Sequence, residues 1–168
     1  KSLLRRAASC YRAASALLVV SPSLGSQLEL TVGADAHGWR WVPNVLDPEW
    51  LAKPLQRRGT EDKLCILAVG NLIPVKDHTT VLSAFATLRD KYPAQLVIAG
   101  DGPDEDQLRN LAIKLGIAED TIFTGRLTRE QLLGQFDRAS CLVLPSRFET
   151  FGVVLIEALS RGVPVVAS

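Results

Sequence analysis

From Leu64 onward, apolar runs and helical patterns alternate with a regularity that few folds can accommodate. CILAVG (65–70), QLVIAG (95–100), TIFTG (121–125), CLVLP (141–145) and VPVVA (163–167) are continuous apolar runs of strand length, as strands covered on both faces should be. Between them lie helical patterns at Asp77–Asp90, Pro103–Leu115, Thr128–Phe136 and Phe151–Leu159. Strand, helix, strand, repeated in series, predicts an α/β fold: a Rossmann-like, doubly wound parallel sheet, because right-handed crossovers place helices on both faces. Ligands of such sheets bind at the carboxyl ends of the strands, so the loops of interest begin at Gly70, Gly100, Gly125 and Pro145.

Two zones precede this one. In residues 1–42 a helix leads to the strand ALLVV, Ser21-Pro22-Ser23 opens a second helix, and a short strand covers Trp39 to Val42. Residues 43–63 hold Pro43, Pro48 and Pro54 and the charged run RRGTEDK without sustained periodicity, which reads as a linker between domains. The expected organisation is thus the end of one domain (1–42), a linker (43–63) and a second domain (64–168). There is no methionine among the 168 residues, so the chain is expected to be an internal piece of a longer protein.

With 47% hydrophobic residues the chain can bury a core, which excludes disorder. A formal net charge of +1 leaves no overall field to hold a nucleic-acid backbone, so any partner must be recognised locally. Cys10, Cys65 and Cys141 have no metal-binding spacing and read as reduced thiols of a cytoplasmic protein. The apolar stretch Ala13 to Val20 is too short to cross a bilayer. The opening stretch, with Lys1, Arg5, Arg6 and Arg12 beside leucines and alanines, suits either peripheral association with an anionic membrane face or an ordinary solvated surface helix.

The loops narrow the ligand. After the first strand of the third zone the chain reads G-N-L-I-P-V-K, which lacks the G-x-G-x-x-G turn of a dinucleotide site, and no P-loop motif occurs anywhere. Asp104-Glu105-Asp106 has a D-x-D form but follows Pro103 at a helix start, where acids favour the dipole. His37 and His78 have no neighbouring arrangement suited to nucleophilic catalysis. The fourth loop, PSRFETFGVVLIEALSRGVPVVAS, is the informative one. Residues 153–159 are apolar except at Glu157, so this helix is expected to be buried on all sides, with a carboxylate that needs a partner. Gly152 admits close approach to the backbone, and the free N–H groups of the first helical turn suit a phosphate. Two carboxylates for hydroxyls and a helix start for phosphate describe a sugar nucleotide.

These residues also carry a family pattern. E-x-F-G-x-x-x-x-E, with PSR before it and A-L-x-x-G-x-P-V-V-A-S after it, resembles the carboxy-terminal domain of the retaining glycosyltransferases of family 4, the group 1 glycosyltransferases, which have two facing Rossmann-like domains (GT-B). GNLIPVKDH is similar to the family's G-R-L-x-x-x-K-G segment, GDGP and FTGRL to its G-D-G-P and F-x-G-x-[VL] segments, and VVSPSL and WVPNVLD to the end of its amino-terminal domain and the interdomain link.

The resemblance implies roles. Glu157 would bind the ribose hydroxyls, and Glu149 would sit beside the donor sugar. Phe151, Gly152 and Val153 would offer backbone N–H groups to the diphosphate, Gly70 would belong to the same donor-binding set, and Lys76 would neutralise the diphosphate as it leaves. Asn71 stands where the family usually has arginine and brings no charge, while Arg126 lies in the nucleobase-contacting loop with its main chain as the contact. Arg147 is a further cation near the loop, equally suited to a surface ion pair. The implied activity is transfer of a sugar from a UDP-, GDP- or ADP-sugar to a glycan or lipid hydroxyl, with retention and without a metal or other cofactor, in the cytoplasm or at the inner face of the membrane. Donor binding without catalysis by this stretch alone, and a nucleotide-sugar epimerase of the same architecture, are the alternatives.

Overall fold

The computed structural model describes residues 2–32, 38–46, 48–52 and 63–168, the side chains of 2–7, 32, 49 and 52 excepted. The chain divides into two compact units, Lys1–Val45 and Leu46–Ser168.

In the first unit, α1 (Ser2–Ala13) and α2 (Pro22–Val32) accompany two short parallel strands, β1 (Leu17–Val19) and β2 (Trp39–Trp41), with Leu17 opposite Trp39. Ser21 opens α2 as its sequence implies, its hydroxyl accepting the Leu24 N–H at 3.3 Å. The indole of Trp39 donates to the Glu29 carboxylate at 2.8 Å, fastening β2 to α2. The side chains of Lys1, Arg5 and Arg6, on which the membrane-facing expectation rests, lie outside the described residues.

The second unit begins with α3 (Pro48–Ala52), inside the segment expected to be a linker. It is there because Trp50, 3% exposed, packs edge-on against Phe136 with ring centroids 5.7 Å apart. The stretch 53–62, with Pro54 and most of the charged run, lies outside the described residues. The remainder alternates as the pattern requires. In order come β3 (Leu64–Val69), α4 (His78–Arg89), β4 (Ala94–Ala99), α5 (Glu105–Lys114), β5 (Thr121–Gly125), α6 (Arg129–Arg138), β6 (Cys141–Leu144), α7 (Val153–Ser160) and β7 (Val165–Ala167).

All five strands from β3 on are parallel, in the order β5-β4-β3-β6-β7. Side-chain alternation sends Ile66 and Ala68 of β3, with Leu96 and Ile98 of β4, into a core shared with Leu82, Phe85 and Leu108 of α4 and α5. Cys65, Leu67, Val97 and Ala99 point the other way, against Leu133, Phe136, Ala158 and Trp50. Burying both faces is what makes these runs continuously apolar. The chain starts at the centre of the sheet, winds outward to β5, then crosses to β6 on the other side of β3. The strand order therefore reverses between β3 and β6, and the loops that follow those two strands flank the switch point, where ligands of such sheets bind.

Candidate functional site at the switch point

The loop after β3 runs from Gly70 through a 3₁₀ turn, Pro74–Lys76, to Asp77. The loop after β6 runs from Pro145 to Gly152. Although 73 residues separate them, Lys76 and Glu149 meet here, Nζ donating to Oε2 at 2.5 Å. Their side chains are 21% and 26% exposed, so the pair is part-buried but open to an incoming group. The aliphatic stem of Lys76 passes over Gly70, whose Cβ, if it had one, would lie 3.6 Å from Cδ of the lysine. Gly100 brings its loop still closer: a Cβ there would stand 2.0 Å from the Gly70 carbonyl oxygen, so only glycine permits the contact.

Gly152 caps α7 in the left-handed region, with φ 71° and ψ 55°, and a Cβ on it would lie 2.9 Å from Leu155 Cδ1 and 3.4 Å from Glu149 Cγ. The glycine thus allows the turn that sets the start of α7 beside Glu149. Phe151 is part-buried, Gly152 is buried and Val153 is 38% exposed. The helix is anchored at its far end by Arg161, 3% exposed, whose Nη2 and Nε donate to Asp137 Oδ1 at 2.6 and 3.1 Å.

The expectation that α7 is buried on all sides does not hold. Only Ala158 is fully buried, while Val153 and Leu159 are 38% and 55% exposed. The helix packs on β6 and β7 with α3 beside it, which leaves most of its residues part-buried. Glu157 is accordingly half-buried. Desolvation still raises its pKa above the ordinary value, against the opposing charge of Arg129. It lies about 7.5 Å along the helix from Gly152, at roughly 1.5 Å per residue.

Asn71 is exposed, and its carbonyl accepts the Ile73 N–H at 3.0 Å in the turn leading to Lys76. Arg126 reaches Asp101 at 3.3 Å, with side chains 77% and 51% exposed, on the rim of a cleft floored by Val69, Leu127 and Leu132. Asp104 stands at the N-cap position of α5 without a side-chain capping bond, and Glu105 pairs with Arg109 one turn on.

Two residues without an expected role prove central to the loop. Asp77 is the only non-glycine residue with positive φ (50°) among the described residues. The Thr79 hydroxyl donates to its Oδ1 at 2.7 Å and Arg147 Nε to its Oδ2 at 3.0 Å, and these bonds hold its pKa down to about 2. His78 is 3% exposed, and neither ring nitrogen has a hydrogen-bond partner. Burial lowers its pKa below the ordinary histidine value, the nearby charge of Lys76 adding to this and the Asn71 backbone opposing it. The signal for Asp77 was in the sequence: aspartate stands where the family segment carries the glycine after its lysine, and the backbone there is left-handed.

The family model for "Glycosyl transferases group 1" matches residues 53–168. The GDP-mannose-dependent alpha-(1-6)-phosphatidylinositol monomannoside mannosyltransferase of Mycolicibacterium smegmatis is 33% identical over 129 residues, 72% of this chain and 34% of that protein. A glycogen synthase of Mycobacterium tuberculosis is 32% identical over 160 residues, 94% of this chain and 38% of that protein. Among solved structures, the sucrose-phosphate synthase of Thermosynechococcus elongatus shares the fold, with a TM-score of 0.84 at 24% identity over 99% of this chain and 43% of that one. The chain spans about a third of the length of the two curated relatives, 34% and 38%.

Proposed function

The chain belongs to the group 1 glycosyl transferases, and on that footing we propose that it forms the donor side of a two-domain, retaining, family 4 glycosyltransferase. The observation that carries this reading is the meeting of Lys76 and Glu149 across the switch point. An ammonium and a carboxylate in one crevice suit a donor with a negative diphosphate at one end and a hydroxyl-bearing sugar at the other. With donor bound, Lys76 turns from Glu149 to the diphosphate, and Glu149 accepts from sugar hydroxyls. The start of α7 adds backbone N–H groups to the phosphate. As the glycosidic bond breaks, negative charge grows on the departing oxygen, and a cation held there lowers the barrier.

Retention then follows from attack on the face the diphosphate leaves, the diphosphate taking the acceptor's proton and Glu149 steadying positive charge at the anomeric carbon. Glu157, raised in pKa, is suited to the ribose hydroxyls. The cleft beside Arg126 suits the base, and Asn71 leaves more of the phosphate charge to Lys76. The acceptor is a glycan or lipid hydroxyl, the reaction needs no metal, and the setting is cytoplasmic, at or near a membrane face.

The test is a melting-temperature screen with UDP-glucose, GDP-mannose and ADP-glucose. A donor at a hundred times its dissociation constant stabilises the native state by about 2.7 kcal/mol. No shift with any of them sinks the reading, and loss of transfer on adding EDTA removes the metal-free part of it.

A further inference from the structure

What holds Lys76 and Glu149 at matched positions, when each sits in a loop? The contacts around them converge on Arg147, two residues before Glu149. Its backbone N–H donates to the Val75 carbonyl at 2.8 Å, and its Nε donates to Asp77 Oδ2 at 3.0 Å. Arg147 therefore grips the residues on both sides of Lys76. Asp77 is fixed in turn: its second carboxylate oxygen accepts from Thr79 Oγ1, and its carbonyl accepts the Thr80 N–H at 3.0 Å as α4 begins. Its backbone occupies the left-handed region, which costs a non-glycine residue and persists only where surrounding contacts impose it. A glycine would adopt that turn without strain, so the carboxylate must supply something the turn alone does not need. The Asp77 side chain is 14% exposed while that of Arg147 is 69% exposed, so the aspartate is the fixed member and the arginine the arm that reaches it.

We propose that Asp77 and Arg147 form a latch joining the β3–α4 and β6–α7 loops, which sets the spacing of Lys76 and Glu149 and makes Asp77 a positioning residue for sugar transfer; the catalytic half of this rests on the donor-site reading above. The latch touches neither proposed donor group, so it acts on their placement and leaves their chemistry alone. A bound diphosphate draws Lys76 away from Glu149, and the latch still joins the two loops once that pair has opened.

The experiment uses the full-length protein with Asp77→Gly, Arg147→Ala and Arg147→Lys. Hydrogen exchange at the backbone amide of position 147 reads the latch directly: roughly tenfold faster exchange is expected in Asp77→Gly and Arg147→Ala, with Arg147→Lys closer to wild type. Steady-state transfer from UDP-glucose, GDP-mannose or ADP-glucose reads its consequence. In both disrupted variants kcat falls roughly tenfold while the donor KM stays within about twofold, and the Asp77→Gly/Arg147→Ala double variant is no slower than the worse single. Asp77→Gly relieves backbone strain, so a merely structural aspartate predicts unchanged or higher kcat, and that result overturns the proposal. Unaltered exchange at Arg147 overturns it as well. Failure of wild type to turn over any of the three donors would refute the donor-site reading, and the exchange measurement still decides the latch.

Discussion

Glu149, in the β6–α7 loop, and Glu157, in the body of α7, are separated by seven residues and held in opposite ways. The first faces Lys76 and spends its charge on an ion pair. The second is raised in pKa by desolvation on a half-covered helix. A paired carboxylate can exchange its partner for a ligand at little cost, because one set of polar contacts replaces another. A desolvated one gains from any hydroxyl that satisfies it. On the proposed reading, the same residue type is thereby prepared for two tasks, one at the reacting sugar and one at a distant binding group.

The largest test of that contrast is Glu149→Gln. Loss of a group that stabilises developing charge costs roughly 100- to 1,000-fold in kcat, with little change in nucleotide affinity. If kcat survives, the two carboxylates do not differ in the way described. Next is Gly152→Ala, at the joint between loop and helix. Its left-handed φ of 71° and the 2.9 Å approach to Leu155 together predict destabilisation by about 1–2 kcal/mol, read from denaturant midpoints.

Glu157→Ala is expected to weaken donor binding roughly tenfold, about 1.4 kcal/mol, with kcat at saturation nearly unchanged. Its pH signature is distinctive. Because the folded-state pKa is raised, the ionised form burdens the fold, and stability falls as pH rises through the interval from the ordinary value to the raised one. Glu157→Gln should therefore melt higher than wild type at neutral pH, and equal melting removes the desolvation argument. The smallest effect is on acid stability at Asp77, whose carboxyl is held at about 2 instead of 3.8. Its contribution is present above the ordinary value and is lost as pH falls from about 4 through 2. Asp77→Asn should show a flatter acid limb in thermal melts, and identical limbs would mean the carboxylate contributes nothing to folding.

Much of the second unit was legible in the sequence because its signals are local. Continuous apolar runs mark strands covered twice, and β5 matches its expected span, TIFTG at 121–125. Thr128 and Gln131 cap α6 reciprocally, which starts that helix at Arg129. Burial of α7 was misread because an apolar sequence shows that a helix can be covered without showing what covers it. Trp50 was hidden in a proline-rich stretch because its reason for being helical is Phe136, far away in the chain. At the site, Lys76, Glu149 and Gly152 were each identifiable from motif spacing. For Asp77 the sequence showed only an aspartate in place of the family segment's glycine, since its partner, Arg147, lies 70 residues away.

The order of apolar runs, the caps and the glycines thus determined by themselves a parallel, doubly wound sheet and the loops at the carboxyl ends of its strands, because strand alternation, crossover handedness and positive φ are properties of short stretches of chain. The reversal of strand order between β3 and β6, the pairing of Lys76 with Glu149 and the grip of Arg147 on Val75 and Asp77 were decided only by the tertiary structure. Such contacts join segments whose closeness depends on the closing of every intervening strand and helix, and no local pattern encodes that distance.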